Sequence, residues 1–246
     1  MATSQIPSVL GMGLSGTEKG RAHVAVALER QQDVMTATID DGKANALTFE
    51  VLAELRTALG TSADAKVPLV IAGREGYFSA GFDLRIMRSG DWDRISALVE
   101  QGVLLFREMF AAPVPVLAAC TGHALAAGAL LLLAADYRIG EPGRYALGLN
   151  ETRIGIPLPQ FAIDMARLRL STNRLMAATL FASIVGPQEA LDYGYLDGIE
   201  SDATTATRAL AGEMAAVGLT AFGQSKARMN AEIVRRLSEP LRLQQT

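Results

Sequence analysis

The sequence predicts an α/β protein whose last third is helical. Two observations carry this. Short alternating or wholly apolar runs, the mark of strands, interleave with segments of helical spacing through the first two thirds of the chain. Beyond that the strand pattern stops and helical spacing continues almost without interruption. No repeat, low-complexity block or linker divides the 246 residues, so one large domain accounts for the length.

Taken in order, His23 to Arg30 and Val34 to Asp40 alternate as strands do, and Gln31-Gln32-Asp33 joins them as a hairpin. Thr48 is placed to cap a helix starting at Phe49 and reaching about Leu59. Pro68-Leu-Val-Ile-Ala72 reads as a short buried strand and Gly73 to Gly81 as a loop. Asp91 caps a helix that runs to about Phe110. Val114 to Ala119 is a strand, followed by a turn at Thr121-Gly122-His123 and a buried helix over Ala129 to Ala135. Tyr137-Arg138-Ile139 and Arg144 to Leu149 are further strands. Helices follow from Pro157 to about Leu168, from Asn173 to Ala182 and from Gly186 to Gly194. Thr204 to about Leu237 is helical with a break near Gly218 to Gly223.

Several functions are disfavoured. The net charge is -3 without basic blocks, which leaves no electrostatic footprint for nucleic acid. One cysteine, Cys120, rules out an internal disulfide and matches a reducing cytoplasm; with only His23 and His123 besides, no metal site is expected. Met109 to Ala135 carries no charge and is long enough to span a bilayer, but Pro113, Pro115 and the Thr121-Gly122-His123 turn favour buried strand and helix over a membrane span. Gly11-Met-Gly-Leu-Ser-Gly16 fits a dinucleotide fingerprint, yet no strand precedes it and no helix follows. Cys120 and His123 lie in an apolar turn without an orienting third group and read as structural. Asp136 closes an apolar run and is expected to cap or pair.

Three segments point to chemistry. Phe78-Ser-Ala-Gly-Phe-Asp-Leu84 is a small-residue loop able to aim a backbone N–H at a ligand oxygen. Gly122-His-Ala-Leu-Ala-Ala-Gly128 is a second such turn, directly before an apolar helix whose positive end favours an oxyanion. Gly148-Leu-Asn-Glu151 places one carboxylate in weakly polar surroundings. Two backbone donors and one acid are the minimum for removing a proton beside a carbonyl and stabilising the enolate.

With Asp41-Gly-Lys-Ala-Asn-Ala-Leu47, Asp136-Tyr-Arg-Ile139 and Gly148 to Gly155, these segments resemble, in order and spacing, the crotonase (enoyl-CoA hydratase/isomerase) superfamily from about His23 onward. The resemblance implies a spiral of ββα units over residues 21–200 and a helical trimerisation region over 201–246, with 1–20 a loose extension. It implies an acyl-CoA thioester as substrate, no separate cofactor, and a homotrimer or hexamer. The N–H groups of Phe82 and Ala127 then form the oxyanion hole and Glu151 is the acid/base, its neighbours Leu149, Ile154 and Ile156 excluding water. Lys43, Ala44, Ala46, Ala80, Gly81, Asp83, Leu84, Arg85, Gly128 and Leu130 line the substrate, and Lys226 reaches a neighbouring subunit's nucleotide.

Two positions depart from the commoner pattern. Ala127 stands where a glycine is usual, which preserves the N–H. Leu130 stands where the two-carboxylate hydratases carry glutamate. Leucine there, and the Leu147-Gly-Leu-Asn-Glu151 segment, resemble the enoyl-CoA isomerase type, so the expected reaction moves a double bond from position 3 to position 2 of an enoyl-CoA. Hydration by a single glutamate is the alternative, and non-catalytic acyl-CoA binding is the alternative outside catalysis.

Overall fold

The computed structural model describes residues 25–241 and 243; the extension at 1–20 and the Gly11–Gly16 fingerprint lie outside them. β1 (Val26–Gln31) and β2 (Val34–Ile39) form the expected antiparallel hairpin. β3 (Ala46–Leu47) is a two-residue strand leading into α1 (Phe49–Ala65). Thr48 caps α1, accepting from the Val51 N–H at 3.2 Å, and α1 runs six residues past Leu59 because Ser62 and the alanines beyond it continue the helix without a breaker.

β4 (Leu69–Gly73) is followed by two short strands, β5 (Gly76–Ser79) and β6 (Gly81–Phe82), where a loop was expected. Runs this short show no period of their own; their partners lie far away in sequence. α2 (Leu84–Met87) and α3 (Trp92–Ala111) come next, with Asp91 capping α3. The uncharged stretch then gives β7 (Val116–Cys120), β8 (Gly122–Leu125) and α4 (Ala127–Ala134). α4 is buried all round, so its sequence carries no amphipathic signal. Among the described residues no helix is long and apolar enough to cross a membrane.

The chain continues through β9 (Tyr137–Gly140), β10 (Leu147–Gly148), a 3-10 turn at Thr152–Ile154, α5 (Gln160–Arg169), α6 (Leu175–Thr179), α7 (Pro187–Tyr193) and β11 (Gly198–Ile199). It closes with α8 (Ala203–Ala215) and α9 (Leu219–Arg236), separated near Gly218 as expected.

The main sheet has the order β1-β2-β4-β7-β9-β11, parallel except for the first pair. One face meets α8: Ala203 and Ala211 pack on Val34, Val70, Ala72, Leu117, Ala119 and Ile139. The other face carries the larger core, in which Leu52, Leu55, Leu98, Phe106 and Phe110 from α1 and α3 meet Ile39, Leu69 and Ile71. Each such side chain contributes roughly 1.5–3 kcal/mol by leaving water. Beyond this core lie a three-stranded parallel sheet, β10-β8-β5, and the β3-β6 pair. These small sheets bring the three chemical segments together.

Candidate active site

The loop before β3 is organised by Asp41 and Asn45. The Asp41 carboxylate accepts from the N–H groups of Lys43 (2.7 Å), Asn45 (2.9 Å) and Ala46 (3.0 Å). Burial alone pushes its pKa up; the three donors outweigh burial and hold it below the ordinary value. Asn45, fully buried with φ +54°, donates through Nδ2 to the carbonyls of Ile39 (2.8 Å) and Tyr77 (2.9 Å). Ser79 Oγ donates to Asn45 O at 2.8 Å and accepts from the Gly81 N–H at 3.1 Å. Neither Asn45 nor Ser79 was singled out from sequence. Each looks like an ordinary turn residue until its distant partner is known.

This polar staple places Ala46 beside Gly81 and Leu47 beside Phe82 in the β3-β6 pair. The Asp83 N–H donates to Leu47 O at 3.3 Å and the Ala80 N–H to Ala44 O at 3.0 Å. Successive N–H groups on a strand point to opposite edges, so the Phe82 N–H faces away from β3. The Phe82 ring lies against α3 at Gly102, where a Cβ would stand 2.5 Å from ring atoms Cε1 and Cζ. The bulk of Phe82 is thereby accommodated without occupying the backbone edge.

The second loop meets the first directly. Gly81 has φ +93°, and a Cβ there would stand 3.0 Å from Leu125 O and 3.1 Å from Ala127 N. Gly128 is closer still: its Cβ would lie 2.1 Å from Ser79 O. Only glycine permits this approach. Ala126 adopts φ +50° before α4, and its carbonyl accepts from the N–H groups of Ala129 (2.9 Å) and Leu130 (3.1 Å). The Ala127 N–H belongs to the first turn, where helix geometry supplies no acceptor. Ala127 and Leu130 are each 2% exposed. α4 begins two residues earlier than expected because Ala126, not glycine, makes the left-handed turn.

Glu151 arrives through β10. Leu147 and Gly148 pair in parallel with Ala124 and Leu125, and the Ala126 N–H donates to Gly148 O at 3.0 Å. β10 is held at its start by His123, whose Nδ1 accepts from the Ala146 N–H at 2.9 Å. The acid and the α4 donor therefore leave the same end of neighbouring strands. Glu151 opens the 3-10 turn, and its carbonyl accepts from Ile154 and Ile156, both at 3.0 Å. Its Oε2 is buried and has no partner among the described residues. Burial pushes its carboxyl up to about 7, against a smaller opposing effect from its own backbone N–H. Leu149 is fully buried, as expected, but Ile154 and Ile156 are 52% and 38% exposed. The 3-10 turn rolls these two outward, so they do not shield the carboxylate within this chain.

The remaining expected contacts divide. Lys43, Leu84 and Arg85 stand exposed on the rim, and Ala44, Ala46 and Ala80 lie in the paired segments beneath them. Asp83 caps α2 and binds Arg85 Nη2 at 2.8 Å; that hydrogen bond holds its carboxyl below the usual range. Lys226 does not reach outward. It is 4% exposed, and its Nζ donates to Asp136 Oδ2 at 2.6 Å and Val114 O at 3.3 Å. Position on the inner face of α9 overrides the surface expectation for lysine. Asp136 has the structural pairing expected of it and also accepts from the Val116 N–H at 2.8 Å. Lys226→Met is expected to cost about 3–5 kcal/mol, since it strands a carboxylate in a site built around a cation; urea unfolding with and without the substitution measures it. Cys120 is likewise internal: its Sγ donates to Gly122 O at 3.2 Å and burial pushes the thiol up to about 12.

The model of the enoyl-CoA hydratase/isomerase family matches residues 29–246. A probable enoyl-CoA hydratase of Bacillus subtilis (strain 168) is 36% identical over 176 residues, 69% of this chain and 67% of that protein. The mitochondrial enoyl-CoA delta isomerase 1 of Homo sapiens is 28% identical over 219 residues, 83% of this chain and 70% of that one. The crystal structure of an enoyl-CoA hydratase/isomerase family protein from Pseudomonas syringae superposes with a TM-score of 0.84 at 32% identity, covering 87% of this chain and 93% of the other. With the ββα architecture and the joined small-residue loops, these matches make the chain a member of the enoyl-CoA hydratase/isomerase family with the crotonase fold.

Proposed function

We propose that the protein shifts the double bond of a 3-enoyl-CoA to position 2. The observation that supports this most is the lone carboxylate: Glu151 is buried with its pKa near 7, and the α4 position where a second acid would stand is the buried Leu130. Glu151 takes a proton from C2 of the acyl group. The electrons move into a dienolate whose oxygen accepts from the N–H groups of Phe82 and Ala127. Glu151 then returns the proton to C4. Each backbone donor in such a hole contributes about 3 kcal/mol to the transition state. CoA is part of the substrate and no separate cofactor enters. The exposed rim at Lys43 and Arg85 suits the nucleotide portion.

Hydration by Glu151 alone is the second reading, favoured by the name of the Bacillus subtilis relative. Ultraviolet absorbance separates the two. Isomerisation of a 3-enoyl-CoA creates the conjugated chromophore, whereas hydration of a 2-enoyl-CoA removes it. The first reading expects the 3-enoyl substrate to turn over faster; rapid hydration without isomerisation overturns it, and binding without either change overturns both.

The same reading includes a homotrimer or a pair of trimers. Met176, Leu180 and Phe181, on α6 and just after it, are 58%, 56% and 74% exposed and form an apolar face suited to a second copy. With Lys226 buried, any cation supplied across such an interface comes from another residue.

A further inference from the structure

The buried face of α3 has a gap in it. Leu98, Val99, Leu105 and Phe106 flank Gly102 one turn away on either side, and all four are buried. Gly102 therefore lies in the middle of the apolar stripe and is itself buried. A helix interior disfavours glycine relative to alanine, and a core stripe gains stability from a side chain at such a place. What fills the gap is the edge of the Phe82 ring. A Cβ at Gly102 would stand 2.5 Å from Cε1, 2.5 Å from Cζ and 3.9 Å from Cδ1 of that ring. All three atoms nearest to that point belong to Phe82.

The strand that carries this ring is short and paired on one side. β6 consists of Gly81 and Phe82, and its pairing with β3 lies along a single edge. Such pairing leaves rotation about that edge open. Gly81 restrains one end, through its close approach to Leu125 O and Ala127 N. Side chains stand roughly perpendicular to the plane of a sheet, so the Phe82 ring reaches out of the β3-β6 plane to α3. Its seat there acts directly against rotation. The Phe82 N–H leaves from the edge opposite β3, and turning the strand re-aims it. The next residue offers no equivalent restraint: the Asp83 side chain is taken up with capping α2 and pairing with Arg85, which stands in solvent.

We propose that Gly102 is a positioning residue for the oxyanion hole: the notch left by its missing side chain seats the Phe82 ring, and the seated ring fixes the tilt of β6 and with it the direction of the Phe82 N–H. This rests on the reading that this N–H holds the thioester oxygen. Gly102 acts through the ring and not on the substrate. Direction matters because a hydrogen bond weakens steeply as its donor turns away from the acceptor.

The test is a double-mutant cycle of Gly102→Ala and Phe82→Ala. It is read by turnover of a 3-enoyl-CoA and by the infrared carbonyl stretch of a bound saturated acyl-CoA, isotope-labelled at the thioester carbonyl. Donors on the carbonyl oxygen lower that stretch. A methyl at position 102 cannot share the notch with the ring. The ring can leave by its side-chain torsions, so α3 keeps its place and the variant folds. Gly102→Ala should lower kcat about tenfold with KM nearly unchanged, and should reduce the lowering of the carbonyl stretch. Phe82→Ala keeps the backbone N–H and empties the notch without adding atoms. It should show a similar loss, and Gly102→Ala added to it should cost nothing more. A merely structural role for Gly102 changes the melting temperature and leaves the carbonyl stretch in place. Equal losses from Gly102→Ala in both backgrounds, or a bound carbonyl stretch that Gly102→Ala does not move, overturns the proposal. The unmodified protein separates the two layers. If its bound carbonyl stretch equals that of the free thioester, the oxyanion reading fails; if the stretch is lowered and Gly102→Ala changes neither it nor turnover, only the role of Gly102 fails.

Discussion

Glu151→Gln is expected to reduce turnover by about 10²–10⁴-fold while acyl-CoA binding persists. The amide keeps the shape of the carboxyl but cannot shuttle a proton. Stability should move the other way. The fold raises the Glu151 pKa from 4.5 to about 7, so it disfavours the charged form. The favourable contribution of the neutral acid is fully present below about pH 4.5 and is lost as pH rises through about 7. Glutamine stays neutral throughout. The variant should match the unmodified protein at pH 4 and exceed it at pH 8 by on the order of 3 kcal/mol. Denaturant unfolding at the two pH values, together with turnover and binding by calorimetry, checks both halves. Equal stability at pH 8 would mean the carboxylate has a partner that offsets its burial, and near-normal turnover would remove Glu151 from the mechanism.

Gly128→Ala should be nearly as damaging, by an unrelated route. The added methyl would lie 2.1 Å from Ser79 O and 2.7 Å from Ser79 C, both main-chain atoms. No rotamer relieves that contact; α4 has to withdraw from the β5-β6 loop. On the proposed reading this separates the N–H groups of Phe82 and Ala127, and turnover should fall by about 10²-fold or more, the scale for losing an oxyanion donor. Overpacking should cost about 1–3 kcal/mol of stability. Gly60→Ala is the control: a Cβ there meets nothing within 4 Å, so a helix-interior alanine in α1 should be neutral or stabilising by up to about 1 kcal/mol. Turnover close to normal in a well-folded Gly128→Ala protein would show that the two loops need not touch for catalysis.

Legibility in the sequence followed the range over which each feature is determined. The first hairpin, the caps at Thr48 and Asp91 and the strand and buried helix of the uncharged stretch depend on residues a few positions apart, and all appear in the structure, whereas the turn expected at Thr121-Gly122-His123 is taken up largely by β8. The small strands β5, β6 and β8 depend on parallel partners far along the chain, and two to four residues carry no period. Segment patterns located the two loops and Glu151, but not what joins them. Asn45 and Ser79 tie the first loop to the segment before β3 through bonds spanning more than thirty residues, and Gly128 packs the second loop on Ser79. Lys226 was misplaced for the converse reason: a lysine in a helix suggests solvent until the carboxylate opposite it, 90 positions away, is known.

That last contact bears on how the chain comes to be folded during synthesis. Asp136, at the head of β9, is matched by an ammonium group that the ribosome adds 90 residues later. Asn230 Nδ2 donates to Phe110 O at 3.0 Å, and a Cβ at Gly223 would stand 2.7 Å from Pro113 O, so the same late helix also packs closely on the corner between α3 and β7. Without α9, Asp136 keeps only the Val116 N–H, and the carbonyls of Phe110 and Val114 lose their side-chain donors. A chain ending before Lys226 keeps every strand of the main sheet but leaves Asp136 without its ammonium partner, and is expected to be less stable than the full chain.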